Sequence, residues 1–319
     1  MTAPGRVSLC QLPTPLHRLN RASEALGVDL WIKRDDLTGF AGGGNKGRKL
    51  EFLMPHILAS GADTVVCSGA AQSNFVRQMG AACAVFGLKC VAVVMDLPHP
   101  DGQDPPPHKS AATGGNIPLD RLFGVDIRRF RDGTWNELEN HTIRASKELE
   151  DEGAKTILVP LGGCTPESVY AFILAAKEID QEFDHLITPC SSGSTHVGLA
   201  MGFAGTKTKV IGISCDPEPD ILDDLAGLSQ GAADKGYGEA LSKDRINFRL
   251  DWVGPGYGVP SPEGEQARNW LAKTEGVVLD PTYSGKAFSG LLSMVKTKTI
   301  AGRILFWHTG GLPAACLRQ

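Results

Sequence analysis

Long hydrophobic runs are missing from this sequence: nowhere do about 18 apolar residues follow one another, which removes a membrane-spanning helix from consideration. The first residues, Met1-Thr2-Ala3-Pro4-Gly5-Arg6, lack the apolar centre of a secretory signal, so a cytoplasmic protein is expected. Clustered positive charge is missing as well. Basic residues form only short pairs such as Arg128-Arg129 and the net charge is −4, which argues against a nucleic-acid or anionic-membrane surface and for a small diffusing ligand. The eight cysteines (Cys10, Cys67, Cys83, Cys90, Cys164, Cys190, Cys215 and Cys316) show no CxxC pair and no Cys/His ligand spacing. Neither a metal site nor a disulfide framework is expected, and several of these thiols read as small hydrophobes in strand-like runs. Tyrosine is scarce, with only four in the chain, so each one carries weight.

What is present is an ordinary globular composition, 42% hydrophobic and 21% charged over 319 residues, long enough for two core-forming units. Residues 12–20 read as an extended segment held by two prolines, followed by a short helix over 21–26 and a strand over 30–33. Apolar residues at helical spacing (Leu50, Leu53, Met54, Ile57, Leu58) then predict a helix over 49–60. Beyond it, strands are predicted over 64–67, 90–95, 125–130, 156–159, 185–189, 210–214 and 304–307. They alternate with helices over 73–86, 110–123, 134–152, 166–182, 194–204, 263–275 and 285–296. This alternation, with β-branched strands, predicts an α/β fold of open twisted parallel sheets with helices on both faces. The segment 98–108, rich in proline and polar residues, reads as an exposed loop, and 218–247 as weakly periodic with short helices.

The stretch around which the chain is organised is Gly42-Gly43-Gly44-Asn45-Lys46, lying between a strand and a helix start. Without a Cβ the glycines let the backbone approach a ligand, and a helix start adds free N–H groups and a positive dipole end. Taken alone this is also an ordinary flexible loop. Ser68-Gly69-Ala70-Ala71-Gln72-Ser73-Asn74 has the same placement and suits a carboxylate, or is a plain helix cap by Ser73 or Asn74. Ser191-Ser192-Gly193-Ser194-Thr195 again follows a strand and opens a helix, and suits a phosphate or is a capped turn. Trp307-His308-Thr309-Gly310-Gly311 ends the last strand, where ligands of open α/β sheets bind. Tyr257 in Gly256-Tyr257-Gly258 and Tyr283 before Ser284-Gly285-Lys286 read as rings exposed by flanking glycines, or as packing tyrosines. A Walker-type phosphate loop is absent, because Gly47 is followed by Arg48 where Lys and Ser/Thr are required.

These motifs occur together and in order: Gly43-Gly44-Asn45-Lys46 with Arg48-Lys49-Leu50-Glu51, Gln72-Ser73-Asn74 with Val76-Arg77-Gln78, Gly193-Ser194-Thr195, Gly256-Tyr257-Gly258, Asp280-Pro281 with Tyr283 and Gly285-Lys286, and His308-Thr309-Gly310-Gly311. From about residue 7 to 315 the chain resembles the D-cysteine desulfhydrase and 1-aminocyclopropane-1-carboxylate deaminase family of pyridoxal-phosphate enzymes. The resemblance implies the tryptophan-synthase-β fold (fold type II). It also implies a larger cofactor domain of residues 1–49 plus 161–319, a smaller inserted domain of residues 50–160, and a homodimer.

By that resemblance Lys46 is the lysine that carries pyridoxal 5′-phosphate, with Asn45 beside it. Ser192, Gly193, Ser194 and Thr195 would bind the phosphate, Asn74 the ring oxygen, and Tyr283 would lie against the ring. The substrate would contact Gln72, Ser73, Asn74, Phe75 and Tyr257, with Ser73, Tyr257 and Tyr283 joining Lys46 as catalytic residues. Relatives that open the cyclopropane ring carry Glu directly after the tyrosine matched by Tyr283. This chain has Ser284 there, which leaves Thr309 as partner of the ring nitrogen and favours α,β-elimination from a small β-substituted amino acid, giving an α-keto acid, ammonia and the leaving group. Phe75 stands where desulfhydrase and sulfo-lyase relatives have His, so D-cysteine, L-cysteate and other β-substituted alanines remain open as substrates. Ring opening of the cyclopropane amino acid and a non-catalytic amino-acid or cofactor-binding role are the alternatives.

Overall fold

The computed structural model describes residues 3–106, 113–218 and 220–317. Two sheets form from the predicted alternation. The larger has six strands in the order Leu16–Arg18, Asp29–Arg34, Arg303–His308, His185–Cys190, Lys209–Ser214 and Asn247–Arg249. Its pairings are parallel except the first, where Leu16–Arg18 runs antiparallel along the edge. The smaller sheet has four parallel strands in the order Asp126–Phe130, Lys89–Met95, Thr64–Ala70 and Thr156–Leu158. Both match the expectation of parallel sheets with buried strands: all seven residues of Thr64–Ala70 are buried.

Helices cover both faces of each sheet because each carries one apolar side. On one face of the large sheet Leu19, Ala22, Ala267, Leu271, Phe288 and Leu291 pack against Ile32, Ile187, Ile213 and Phe306. On the other, Phe172, Ala175 and Leu199 meet Leu186, Leu305 and Trp307. The helix Lys46–Ala59 serves both units: Leu50, Leu53, Met54 and Ile57 enter the core of the small sheet while Phe52 enters that of the large one. Its first residue, Lys46, therefore sits where the two sheets meet.

Several boundaries differ from the sequence reading for local reasons. The helix expected over 166–182 is Pro166–Ala176. Beyond it the N–H groups of Lys177, Glu178 and Ile179 bond to carbonyls three residues back, and Glu178 turns into an ion network with Arg48 and Lys33. Residues 218–247 hold a 14-residue helix, Ile221–Asp234, with Ile221, Leu225, Ser229 and Ala232 on its buried face, and one short 3-10 helix, Lys243–Arg245. The helix expected over 110–123 is Ile117–Leu122, and residues 110–112 lie outside the described residues. Of the loop 98–108, Pro98 and His99 pair with Gly133 and Thr134 as a two-stranded ribbon with Pro98 buried, while 107 and 108 lie outside the described residues.

Candidate active site

The glycine loop is fixed from beneath before it reaches any ligand. Arg48, two residues after Lys46, is buried and bonds Asp35 through Nε at 2.9 Å and Nη2 at 2.8 Å, and Glu178 through Nη1 at 2.6 Å. Lys33 adds a 2.6 Å contact to Glu178, and Trp307 Nε1 donates to Asp35 at 2.8 Å. The Asp35 carbonyl then accepts from the Gly44 N–H at 2.9 Å. From the other side Arg77 and Gln78 donate to the Gly43 carbonyl at 2.9 and 2.7 Å. Gly43 has φ +76°, and a Cβ there would lie 1.9 Å from the Asp36 carbonyl oxygen, so only glycine fits.

Asn45 ties three loops together. Its N–H donates to the Thr309 carbonyl at 2.9 Å and its Nδ2 to Thr195 Oγ1 at 3.0 Å. Gly310 approaches so closely that an added Cβ would meet Gly44 Cα at 2.6 Å. A pocket results, lined by Asn45, Lys46, Asn74, Ser192, Gly193, Thr195, Tyr283 and Thr309 from the expected set. Their elements end at this one place because strands His185–Cys190, Arg303–His308 and Thr64–Ala70 all point their carboxyl ends toward it, the position where open parallel sheets bind ligands.

Not every expected residue lines it. Ser194 lies in the first turn of the helix Ser194–Gly202, and its hydroxyl is buried with no protein partner. Ser73 caps the helix Asn74–Phe86, its Oγ accepting from Phe75 and Val76 N–H at 3.2 and 3.3 Å, so it stands behind the lining. Gln72 holds the residue before the helix Ile117–Leu122, accepting from Asn116 N–H at 2.9 Å. The Phe75 side chain does not reach the pocket: it is buried in the core of the small sheet, against Gly163 and Leu53, because the helix phase that points Asn74 at the pocket turns position 75 away, which leaves only its backbone at the helix start. The two tyrosines divide: Tyr283 lines the pocket, while Tyr257 takes the packing reading. Tyr257 is 7% exposed under the edge of Trp135, ring centroids 5.1 Å apart, and its hydroxyl meets that of Tyr283. Burial pushes both phenols up, so they stay neutral donors.

Lys49 and His196 are among the pocket residues not assigned from sequence. Lys49 is one turn along the helix from Lys46, which places it on the same face, and its Nζ donates to the Gly162 carbonyl at 2.9 Å. Burial, and then the adjacent Lys49 charge, hold the Lys46 amine well below the ordinary lysine range. Burial lowers Lys49 as well. His196, in the same helix as Ser194, has neither ring nitrogen partnered, and burial holds it down at about 4. Among the described residues no carboxylate lines this pocket and no group of side chains could hold a metal ion.

The arrangement suits a phosphorylated aldehyde. An amine kept neutral is the nucleophile that Schiff-base chemistry requires. Opposite it, the start of a nine-residue helix with a partnerless buried hydroxyl offers donors to a phosphate. Near Lys46, the Asn74 Oδ1 is fixed by Arg77 Nη1 at 2.7 Å and Asn116 Nδ2 at 3.1 Å, which sets the orientation of its amide.

Comparison with known proteins agrees. A protein-family profile described as pyridoxal-phosphate dependent enzyme matches residues 7–310. A D-cysteine desulfhydrase of Klebsiella pneumoniae (strain 342) is 38% identical over 320 residues, covering 97% of this chain and 94% of the relative. A crystal structure described as an ACC deaminase homologue superposes with a TM-score of 0.88 at 31% identity, over 98% of this chain and 93% of that one. At 19% identity, threonine deaminase isoform 2 from Solanum lycopersicum shares the fold, with a TM-score of 0.63 over 93% of this chain and 79% of that one. With a matching profile over nearly its whole length and the fold of its solved relatives, the chain belongs to the pyridoxal-phosphate dependent enzymes of fold type II.

Proposed function

We propose that the protein catalyses α,β-elimination from a β-substituted amino acid, in the manner of a D-cysteine desulfhydrase, releasing an α-keto acid, ammonia and the leaving group. The observation that carries this reading is the lining of the lysine pocket, which presents Thr309 and no carboxylate. Bound there, the cofactor supplies an electron sink that acidifies the substrate Cα–H. A carboxylate beside the ring nitrogen would hold it protonated, whereas a hydroxyl leaves it largely neutral, which favours prompt loss of a β-leaving group. Ser284, the position taken by Glu in ring-opening relatives, is occupied structurally. Its hydroxyl and N–H both donate to Asp280 Oδ2, at 2.5 and 3.0 Å, in the turn that opens the helix Ser284–Lys296.

In this reading Lys46 holds the cofactor, and its neutral Nζ takes the α-proton. Ser192, Gly193, Ser194 and Thr195 hold the phosphate, and Asn74 holds the ring oxygen. Gln72, Ser73 and the N–H groups of Asn74 and Phe75 form the carboxylate end. Tyr283, with Tyr257 behind it, bounds the substrate face and offers a hydroxyl proton to the departing group. The larger cofactor unit is residues 1–49 plus 161–319 and the inserted unit 50–160. We place the enzyme in the cytoplasm as a homodimer. The cysteines among the described residues are all free, which fits a reducing compartment.

A keto-acid release screen of the holoenzyme against both enantiomers of cysteine, cysteate, serine and chloroalanine, and against the cyclopropane amino acid, tests the activity. Keto acid from a β-substituted alanine supports elimination. Release from the cyclopropane substrate alone would favour ring opening, the second reading, to which the structural likeness to the ACC deaminase homologue points. Release from none would leave a cofactor-binding protein without this activity.

A further inference from the structure

A second cavity opens beside the lysine pocket and shares Ser191 and Ser192 with it. Its volume of about 720 Å³ falls within the roughly 300–1,000 Å³ of sites that enclose drug-sized ligands. A three-carbon amino acid would leave most of it empty. Five carboxylates line it, from Glu139, Asp216, Glu218, Asp223 and Asp224, and among the described residues no lysine, arginine or histidine does. Among the described residues only Asp223 of these five has a cation within ion-pair distance, Lys243 at the surface.

Asp216 is the buried member, 3% exposed. Its Oδ2 accepts from Trp135 Nε1 at 2.9 Å, while its Oδ1 is buried with no partner at all. A buried acceptor left unsatisfied is costly and calls for an explanation. Burial and the neighbouring Glu218 push the Asp216 carboxyl up to about 7. Glu218, half-buried, is itself raised by burial and by Asp224, Asp220 and Asp101. Like charges outnumber their counter-charge here: Lys286 acts on Asp216 from outside the lining, its Nζ donating to the Gly256 carbonyl at 2.7 Å, and a cation entering beside the two acids would favour the ionised form of both.

The cleft is also continuous with the reaction site. Trp135 lies edge-on to Tyr257, the Tyr257 hydroxyl meets that of Tyr283, and Tyr283 lines the lysine pocket. One wall thus runs from the cofactor pocket to Asp216. We infer that this cleft receives the leaving-group end of a substrate whose β-substituent ends in an ammonium or guanidinium, with Asp216 as its buried anion, Glu218 beside it and the Trp135 ring as its apolar wall. The inference rests on the reading of the protein as an elimination enzyme and names the substrate class of that site. For the probe S-(2-aminoethyl)cysteine the step balances without a redox partner. The α-proton is removed, and the Cβ–S bond breaks with its electron pair on sulfur. The sulfur takes a proton and departs as 2-aminoethanethiol, while the three-carbon fragment takes up water to give pyruvate and ammonia.

The test compares S-(2-aminoethyl)cysteine with its neutral isostere S-(2-hydroxyethyl)cysteine, in both enantiomers, on wild-type holoenzyme and on Asp216→Asn. The ammonium substrate should be preferred in kcat/KM by about tenfold or more, as expected for a hydrogen bond to a charged group, and Asp216→Asn should collapse that ratio toward one. Calorimetric binding of both compounds to Lys46→Ala protein should give the same rank order without turnover. Equal preference, a preference for the hydroxyl compound, or a ratio untouched by Asp216→Asn would overturn the assignment. Should Asp216→Asn fail to fold, Glu218→Gln must lower the ratio in its place, and an unchanged ratio there also overturns it. If no amino acid yields keto acid, the elimination reading fails, while the calorimetric ranking still decides the cleft. If cysteine is turned over but the ammonium compound is not preferred, only the cleft assignment falls.

Discussion

At the lysine pocket two amines, Lys46 and Lys49, are buried one helical turn apart with no carboxylate among the described residues of the lining, whereas in the adjoining cleft Asp216 and Glu218 stand close together with no cation among the described residues of its lining. The same cause, burial, lowers the lysines and raises the acids, so each chamber is poised toward neutrality until a ligand of the opposite charge arrives. Arg48 gives the contrast that shows what a finished buried charge looks like. It is just as buried, yet Asp35 and Glu178 bond it fully and hold it firmly charged. Paired burial builds the fold, and unpaired burial marks where a ligand goes.

The comparison can be broken most sharply at Lys46. Lys46→Ala should lower keto-acid release by at least about 10³-fold and abolish the visible absorbance of bound cofactor, because no other amine stands in the same place. Retained absorbance with retained activity would transfer the role to Lys49. The finished pair should fail by a different route. Arg48→Met leaves Asp35 and part of Glu178 buried without their cation and should cost about 3–5 kcal/mol in denaturant unfolding. Holoenzyme that still forms should then keep its absorbance, which separates scaffold from chemistry.

Lys49→Met removes one cause of the low Lys46 value. With Lys46 protonated to a higher pH, the rate at which cofactor-free protein takes up pyridoxal phosphate should rise with pH along a curve displaced to higher pH. An unshifted curve would show that burial alone sets the Lys46 amine. In the acidic chamber the sign reverses. The folded value of Asp216, about 7, lies above its ordinary 3.8, so the stability it contributes is present below pH 3.8 and lost as pH rises to 7. Asp216→Asn keeps a neutral group there. Its stability relative to wild type should be smallest near pH 4 and should grow to on the order of 1 kcal/mol or more by pH 8, measured by urea unfolding at each pH.

Much of this was legible from residues in order. The parallel sheets followed from short β-branched runs alternating with helical spacing, and four glycine- or hydroxyl-rich loops at strand ends marked the pocket. What stayed hidden depends on phase and on distance in sequence. Phe75 was read as a substrate contact because it stands where relatives carry His, but one step along a helix turns a side chain by about 100°, and the ring went into the core. Lys49 stood inside a motif already singled out, and its spacing of three from Lys46 was the signal that would have placed both amines together. The helix Ile221–Asp234 carried its own apolar spacing at 221, 225 and 232, obscured by glycines and acidic residues between. The edge strand Leu16–Arg18 is three residues long beside a proline, too short for any periodicity. Asp216 had no local signal: its partner Trp135 is 81 positions away, and only the fold makes them neighbours.

The central claim is that Lys46, at the junction of the two sheets, carries the cofactor. Borohydride reduction of the holoenzyme followed by peptide mass spectrometry tests it directly. The account predicts a phosphopyridoxyl mass on the peptide containing Lys46, fixed to Lys46 itself; a label on Lys49 or Lys286, or no label in protein that binds the cofactor, would contradict it.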